Sequence, residues 1–307
     1  MTHARAPVRI TFAGGGTDLE AYARRYGGCC VNAAIRRYAY ACAAEGFCMS
    51  NPTGERDTAL LEAVARRLNS ASGLRGSLQV PPLSGLGASA AIAVAAVGAL
   101  RPGLDPFQTA MEAYRAERED LGVAGGYQDQ FASAYGGILY LEFGDQRVKV
   151  ERMQVAPETV LDLEEHLLLV FVQARRMVNG ADIIADQLER LRTAENLWAH
   201  HRIKEIALDL RWALRHRYMD LFASLLHEEW TVKKAFSPLI SNEYIDGVYE
   251  YARRHGARAG KLLGAGGGGH LLLYCPETET RVAQKLRELG LHPETLSIDW
   301  EGLRTWK

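Results

Sequence analysis

The chain has 307 residues, 48% of them hydrophobic and 24% charged, amounts ordinary for a globular protein and incompatible with a disordered or collagenous one. Its 36 Lys plus Arg balance 37 Asp plus Glu, so no net field draws it to nucleic acid or to an anionic membrane surface. Thirty glycines exceed the roughly 21 that average usage supplies, and the surplus marks places where backbone approaches something closely.

The N-terminus runs from Arg5 and Arg9 straight into a glycine cluster, without the apolar core of a signal peptide, so a cytoplasmic protein is expected. Short β-like runs follow at Val8–Phe12, Tyr38–Ala44, Leu78–Val80 and Ile138–Phe143. Between them, Leu60, Leu61, Val64, Ala65 and Leu68 recur at helical spacing. The segment Ala88–Leu100 is apolar nearly all round and reads as a buried helix; the apolar stretch from Leu86 is shorter than the ~20 residues of a membrane span. Thr109–Asp120 reads as another helix. Ala181–Ser237 holds 57 residues without Gly or Pro and predicts two or more long helices. Around them lie a strand at Leu167–Val172, a helix through Ile245 and Ala252, a glycine loop, a strand at Leu271–Cys275, a helix at Glu279–Leu289 and a last strand near Leu296–Ile298. The pattern is α+β, with a boundary near residue 155 that divides the chain into 1–155 and 156–307. Five cysteines without a C-x-x-C pair read as core thiols.

Four glycine-containing sites carry the chemistry. In Ser84-Gly85-Leu86-Gly87-Ala88-Ser89, two glycines let backbone curl around an anion while the following helix aims its free N–H groups at the same point, a phosphate cradle. A turn capping a core helix would look the same. Ser89 lies where a hydroxyl can ligate Mg²⁺, although no G-K-[ST] is present. Gly264–Gly269 satisfies G-x-G-x-x-G, but a strand rather than a helix follows, which removes the dinucleotide reading. After Gly14-Gly15-Gly16, Thr17 and Asp18 offer groups for sugar hydroxyls, and Asp18 is equally an ordinary helix cap. After Gly125-Gly126, Asp129 can accept a hydroxyl proton, as the catalytic-loop aspartate does in phosphoryl transfer, or can cap a helix. Glu117 or Glu119 could complete a Mg²⁺ site.

In this order, the four sites resemble the GHMP small-molecule kinase superfamily of galacto-, homoserine, mevalonate and phosphomevalonate kinases. The signature P-x-x-x-G-L-G-S-S-A-A has its counterpart in Pro81 or Pro82 through Ala91, with Ala88 replacing the first serine and Ser89 retaining the second. Within the superfamily the chain is most similar to sugar kinases of the D-glycero-D-manno-heptose 7-phosphate kinase type. Arg5 to Leu19, Gln128-Asp129-Gln130 with Tyr135-Gly136-Gly137, and Gly260 to Gly269 carry that similarity. It implies an N-terminal domain like ribosomal protein S5 domain 2 and a ferredoxin-like C-terminal domain with extra helices, the third glycine loop supporting the phosphate loop from across a cleft.

The resemblance also implies ATP and Mg²⁺ and assigns the residues. Asp129 and Arg9 would be catalytic, Arg9 as a fixed charge because arginine stays protonated. Ser84, Gly85, Leu86, Gly87, Ala88 and Ser89 would hold the ATP phosphates, and Ser89 with Glu117 the metal. Gly15, Gly16, Thr17, Asp18, Gln128, Arg175, Arg176, Gly266, Gly267 and Gly268 would meet a sugar or sugar-phosphate substrate. Departures are a shortened region between Ala44 and Gln79, His270 where relatives carry Phe, and Gln173-Ala174-Arg175-Arg176 in place of Thr-Gly-x-x-Arg. The expected reaction is phosphorylation of the anomeric hydroxyl, heptose 7-phosphate being the first candidate. An unphosphorylated hexose such as fucose, or a degenerate nucleotide- or sugar-binding module, are the alternatives. No nucleic-acid or membrane partner is expected, and a homodimer is left open.

Overall fold

The structure is a computed structural model that describes residues 1–45, 55–145, 147–172 and 180–307. Two antiparallel sheets organise it. The first has the order β10-β1-β2-β4-β5, with β3 also pairing β2: β1 is Thr2–Ala13, β2 Gly28–Ala44, β3 Gly73–Leu78, β4 Ile138–Phe143, β5 Val148–Arg152 and β10 Arg304–Trp306. The second has the order β7-β8-β6-β9, built from β6 Leu167–Val172, β7 Ala259–Leu262, β8 Gly269–Tyr274 and β9 Pro293–Thr295. Two sheets with helices packed around them are the expected α+β architecture.

The long β1–β2 pair is the spine of the first sheet. Val8, Ile10 and Phe12 alternate inward along β1, and Pro7, which cannot donate to the ladder, sits at a register shift beside Val8. Helix α3 (Ala88–Leu100) lies against β1 and β2 and is buried on every side from Ala90 to Ala99, as its lack of a polar face requires. Around it pack α1 (Glu20–Tyr26), α2 (Glu55–Arg67), α4 (Pro106–Arg115) and α5 (Gln128–Tyr135). Asp105 caps α4 by accepting the Gln108 N–H, with Pro106 in the first helical position. The helix then widens into a π turn over Ala116–Asp120, where periodicity had predicted one continuous α-helix. That turn faces Glu117 inward and leaves Glu119 at the surface against Arg67.

The segment free of Gly and Pro forms three helices, α7 (Gly180–Arg190), α8 (Ala194–His216) and α9 (Met219–Lys233), after α6 (Pro157–His166); α10 (Glu243–Arg254) and α11 (Glu279–Glu288) complete the set. Helix α8 packs on the first sheet and α9 on β7 of the second, so the pair joins the two sheets. The strand expected at Leu296–Ile298 is a single bridge, Ile35 to Ile298, between the short strands β9 and β10. The strand expected at Leu78–Val80 ends instead at Leu78. Cys29, Cys30 and Cys275 are buried free thiols and Cys42 is half-buried and free, while Cys48 lies outside the described residues. No helix among the described residues is long and apolar enough to cross a membrane.

Candidate active site

The end of β1, the loop before α3, the start of α5 and the loop Leu263–Gly268 converge on two adjoining cavities. The larger, about 310 Å³, is lined by Ser84, Gly85, Gly87, Ala88, Ser89, Glu117 and Gly264–Gly268, with Leu78, Pro82 and Leu83 as an apolar side. The smaller, about 110 Å³, is lined by Thr11, Gly15, Gly16, Asp18, Gln128, Gln187, Lys233 and Lys261. Arg9, Arg118, Asp129, Ile184, Gly264 and Ala265 line both.

Arg9 fixes the shared wall. Its Nε and Nη2 donate to the two carboxylate oxygens of Asp129 at 2.6 and 2.8 Å, and its Nη1 donates to the Gly85 carbonyl at 2.6 Å. Asp129 sits in the first turn of α5 with its carboxylate tied through Arg9 to the Ser84–Ser89 loop; Tyr127, not Asp129, holds the cap position. The loop itself is shaped by glycine. Gly85 and Gly264 both have positive φ, and a Cβ on Gly264 would stand 2.7 Å from Gly85 Cα, so the two loops meet backbone to backbone. His270 Nδ1 also reaches the Ser84 carbonyl at 2.7 Å, doing there what a phenylalanine cannot. The N-terminus of α3 has no side-chain cap and opens on the larger cavity, leaving its N–H groups and dipole for an anion.

Ser89 donates to Glu117 Oε1, while Glu117 Oε2 accepts from Gln130 Nε2 at 2.8 Å and pairs with Arg118 at 3.5 Å. A hydroxyl and a carboxylate in contact at the edge of the cavity suit Mg²⁺, a hard cation that takes one or two protein oxygens and completes its shell with phosphate and water. Among the described residues no group of three or more His, Cys, Asp or Glu is placed to hold a metal alone.

Asp18 lies buried in the smaller cavity, accepting the Gly16 N–H at 3.1 Å and the Gln128 N–H at 3.3 Å. Burial raises its pKa, and the charge of Asp129 adds to the rise. Gln128 turns its side chain to Thr11, 2.7 Å away. Thr17, expected to touch substrate, lines neither cavity: it is fully buried and its hydroxyl lies 2.8 Å from the carbonyls of both Gly14 and Cys29. It holds the turn in shape. Leu86 is likewise buried beneath the phosphate loop. Gly266, Gly267 and Gly268, expected on the substrate side, line only the larger cavity with the phosphate loop. Arg175 and Arg176 lie outside the described residues.

Three cations of this site have no role assigned from the sequence: Arg118, Lys233 and Lys261. Arg118 packs against Gly125, where a Cβ would stand 2.4 Å from its guanidinium. Lys261 is fully buried and paired with the fully buried Glu229 at 2.6 Å. Lysines on a strand and at a helix end ordinarily read as solvated, and only the long-range packing turns these inward.

The family profile described as GHMP kinases N terminal domain matches residues 58–137, and that described as GHMP kinases C terminal matches residues 210–291, together just over half of the chain. The chain belongs to the GHMP kinase family. This GHMP kinase is 29% identical over 336 aligned positions to a D-glycero-alpha-D-manno-heptose 7-phosphate kinase of Campylobacter jejuni, covering 99% of this chain and 98% of that one. It is 29% identical over 217 positions to a bifunctional fucokinase/GDP-fucose pyrophosphorylase of Arabidopsis thaliana, covering 68% of this chain and 20% of that one. A crystal structure of a D-glycero-D-manno-heptose 1-phosphate kinase from Bacteroides thetaiotaomicron superposes with a TM-score of 0.79 at 27% identity, covering 100% of this chain and 99% of that one. The protein is therefore a phosphotransferase with an alcohol group as acceptor, in a family whose phosphate donor is ATP, and the alternative of a mere binding module is set aside.

Proposed function

We propose that this GHMP kinase transfers the γ-phosphoryl group of ATP directly to the anomeric hydroxyl of D-glycero-D-manno-heptose 7-phosphate. The observation that carries the reading is the Arg9–Asp129 fork in the wall shared by the two cavities, since a reacting hydroxyl and a phosphate must meet there. The phosphates of ATP lie over Ser84–Ser89, within reach of the helix N-terminus and of Gly266–Gly268. Ser89 and Glu117 hold Mg²⁺, which when bound neutralises phosphate charge. The sugar lies in the smaller cavity against Gly15, Gly16, Asp18 and Gln128. Asp129 accepts the hydrogen bond of the anomeric hydroxyl and takes its proton as that oxygen bonds to the γ-phosphorus and ADP departs. Arg9 aligns Asp129 with the phosphate loop, so that positioning supplies most of the rate. Residues 1–155 and 156–307 form the two domains of this reading.

The heptose 7-phosphate kinase relative, aligned end to end, supports the choice of acceptor. The fucokinase relative favours a second reading, an unphosphorylated hexose such as L-fucose. A coupled ADP-release assay over heptose 7-phosphate, the unphosphorylated heptose, L-fucose and D-mannose separates them. Turnover of heptose 7-phosphate to the 1,7-bisphosphate, abolished in Asp129→Asn, is expected. Turnover of L-fucose alone would replace the first reading with the second. An Asp129→Asn enzyme with wild-type kcat would remove Asp129 from the chemistry.

A further inference from the structure

Among the described residues six charged side chains line the smaller cavity, and four of them are neutralised. Arg9 pairs with Asp129, Arg118 with Glu117 and Lys261 with Glu229. Lys233 and Asp18 remain. Among the described residues neither has an ion-pair partner, and both are nearly inaccessible to solvent, at 5% and 3%. Lys233 stands at the C-terminal end of α9 and, among the described residues, donates one hydrogen bond, to the Gly264 carbonyl at 2.8 Å. An ammonium has three hydrogens, so two are left for the cavity. A Cβ built on Gly15 would lie 4.0 Å from Lys233 Nζ, which sets the ammonium beside the glycine turn that carries Asp18.

An ammonium with hydrogens to spare and a carboxylate without an ion-pair partner, both lining one polar cavity, suit a polyol, whose hydroxyls give and take hydrogen bonds. A phosphate dianion is less well suited, because it would meet the carboxylate of Asp18, which no cation pairs among the described residues. We propose that Lys233 is a specificity-determining residue of this kinase, donating to a hydroxyl or ring oxygen of the sugar acceptor while Asp18 accepts from a neighbouring hydroxyl. This rests on the sugar-kinase reading above and assigns the cavity floor to the sugar face, leaving any substrate phosphate toward the mouth.

Burial, reinforced by the charge of Lys261, lowers the pKa of Lys233 to about 8. The groups facing it are Lys261 on β7, Glu229 on its own helix, Arg9 on β1, Asp18 in the loop after β1, and Asp129 and Arg118 across the cavity. Lys261, also held down by burial, is the other ammonium that titrates in the same direction, and an arginine at position 233 separates the two.

The test is steady-state kinetics of Lys233→Met and Lys233→Arg with D-glycero-D-manno-heptose 7-phosphate as the varied acceptor. Lys233→Met is expected to raise the acceptor KM roughly 10- to 150-fold, the span of a charge-assisted hydrogen bond, with the KM for ATP within about twofold of wild type. In wild type, kcat/KM for the acceptor should fall as pH rises through about 8, and Lys233→Arg should flatten that limb. A role confined to latching Gly264 against Gly85 would instead raise the KM for ATP and lower the melting temperature, and that result overturns the proposal. So does an unchanged alkaline limb in Lys233→Arg, which decides the matter should Lys233→Met fail to fold. Wild-type enzyme idle on the heptose phosphate but active on L-fucose overturns the substrate reading alone, and the same comparison is then read on L-fucose. Wild type idle on both overturns both.

Discussion

Replacing Arg9 by lysine keeps the charge and removes the fork. The guanidinium makes three short hydrogen bonds, two to Asp129 and one to the Gly85 carbonyl, at 2.6 to 2.8 Å. A lysine ammonium at the same place can restore one of them. Hydrogen bonds to charged groups contribute about 1.5–3 kcal/mol each, and the side chains of Arg9 and Asp129 are only 6% and 20% exposed, so water replaces the loss poorly. The expected cost is about 2–4 kcal/mol, read as a fall in melting temperature of roughly 5 °C or more. The larger effect is on rate. Asp129, released from its second oxygen contact, can shift by about 1 Å, and a displacement of that size costs about 100-fold in turnover. Saturating ADP-release kinetics beside thermal melting of the same preparation reads both quantities. A lower melting temperature with kcat within about twofold of wild type would show that Arg9 only braces the fold, and the role given to the fork would be wrong.

Gly15→Ala places a methyl 3.7 Å from Gln128 Nε2, 3.8 Å from Thr11 Cγ2 and 4.0 Å from Lys233 Nζ, all ordinary contacts. The variant should fold normally and raise the acceptor KM by about 10-fold or more, because the methyl occupies sugar space; a normal acceptor KM counts against the smaller cavity as the sugar site. Glu117→Gln should shift the Mg²⁺ concentration for half-maximal activity upward by about 10-fold, and an unmoved Mg²⁺ midpoint would exclude Glu117 as a ligand. His200, stacked on Phe236 with ring centroids 3.7 Å apart, has its pKa lowered to about 4 by burial. Its contribution to stability is full above its unfolded value near 6.5 and is lost as pH falls toward 4, about 3 kcal/mol in all. Urea midpoints at pH 7 and pH 5 should therefore lie closer together in His200→Phe than in wild type, and an equal drop in both proteins would place the acid-labile group elsewhere.

Much of this was legible along the chain because it is local. The apolar, alanine-rich run that becomes α3 has no polar face to offer solvent, so burial was its only outcome, and the glycines before it predicted the anion-facing turn. The π turn at Ala116–Asp120 was not legible, since a single extra residue in a helical turn leaves the sequence pattern almost unchanged. Thr17 misled for a related reason. Thr-Asp after three glycines offers two oxygens to a ligand, but only the packing of β2 decides that the threonine turns back onto Cys29 and the aspartate faces the cavity. Lys233 and Lys261 were invisible as site residues because a lysine is buried only when distant partners hold it, here Gly264 for one and Glu229 for the other.

Those distant partners form one connected chain of contacts. Lys233 holds the Gly264 carbonyl, Gly264 packs backbone to backbone on Gly85, Gly85 gives its carbonyl to Arg9, and Arg9 grips both oxygens of Asp129. Five residues spread from position 9 to position 264 thus run from the wall of the smaller cavity through the loop before α3 to the Asp129 carboxylate, which the proposed reading sets against the acceptor hydroxyl. No segment of the sequence contains two consecutive links, which is why motifs could point to the phosphate loop and to Asp129 separately but not to the path between them. Gly85 and Gly264 are fixed in this path by the absence of a side chain: a Cβ on Gly85 would stand 2.6 Å from the Leu263 carbonyl and push the two loops apart. Separating the loops would move the Gly85 carbonyl away from Arg9 and the Gly264 carbonyl away from Lys233 at once, so donor and acceptor sites would lose their alignment together. In the proposed reading the surplus of glycine therefore does two things, admitting phosphate to the backbone and holding Lys233 in register with it.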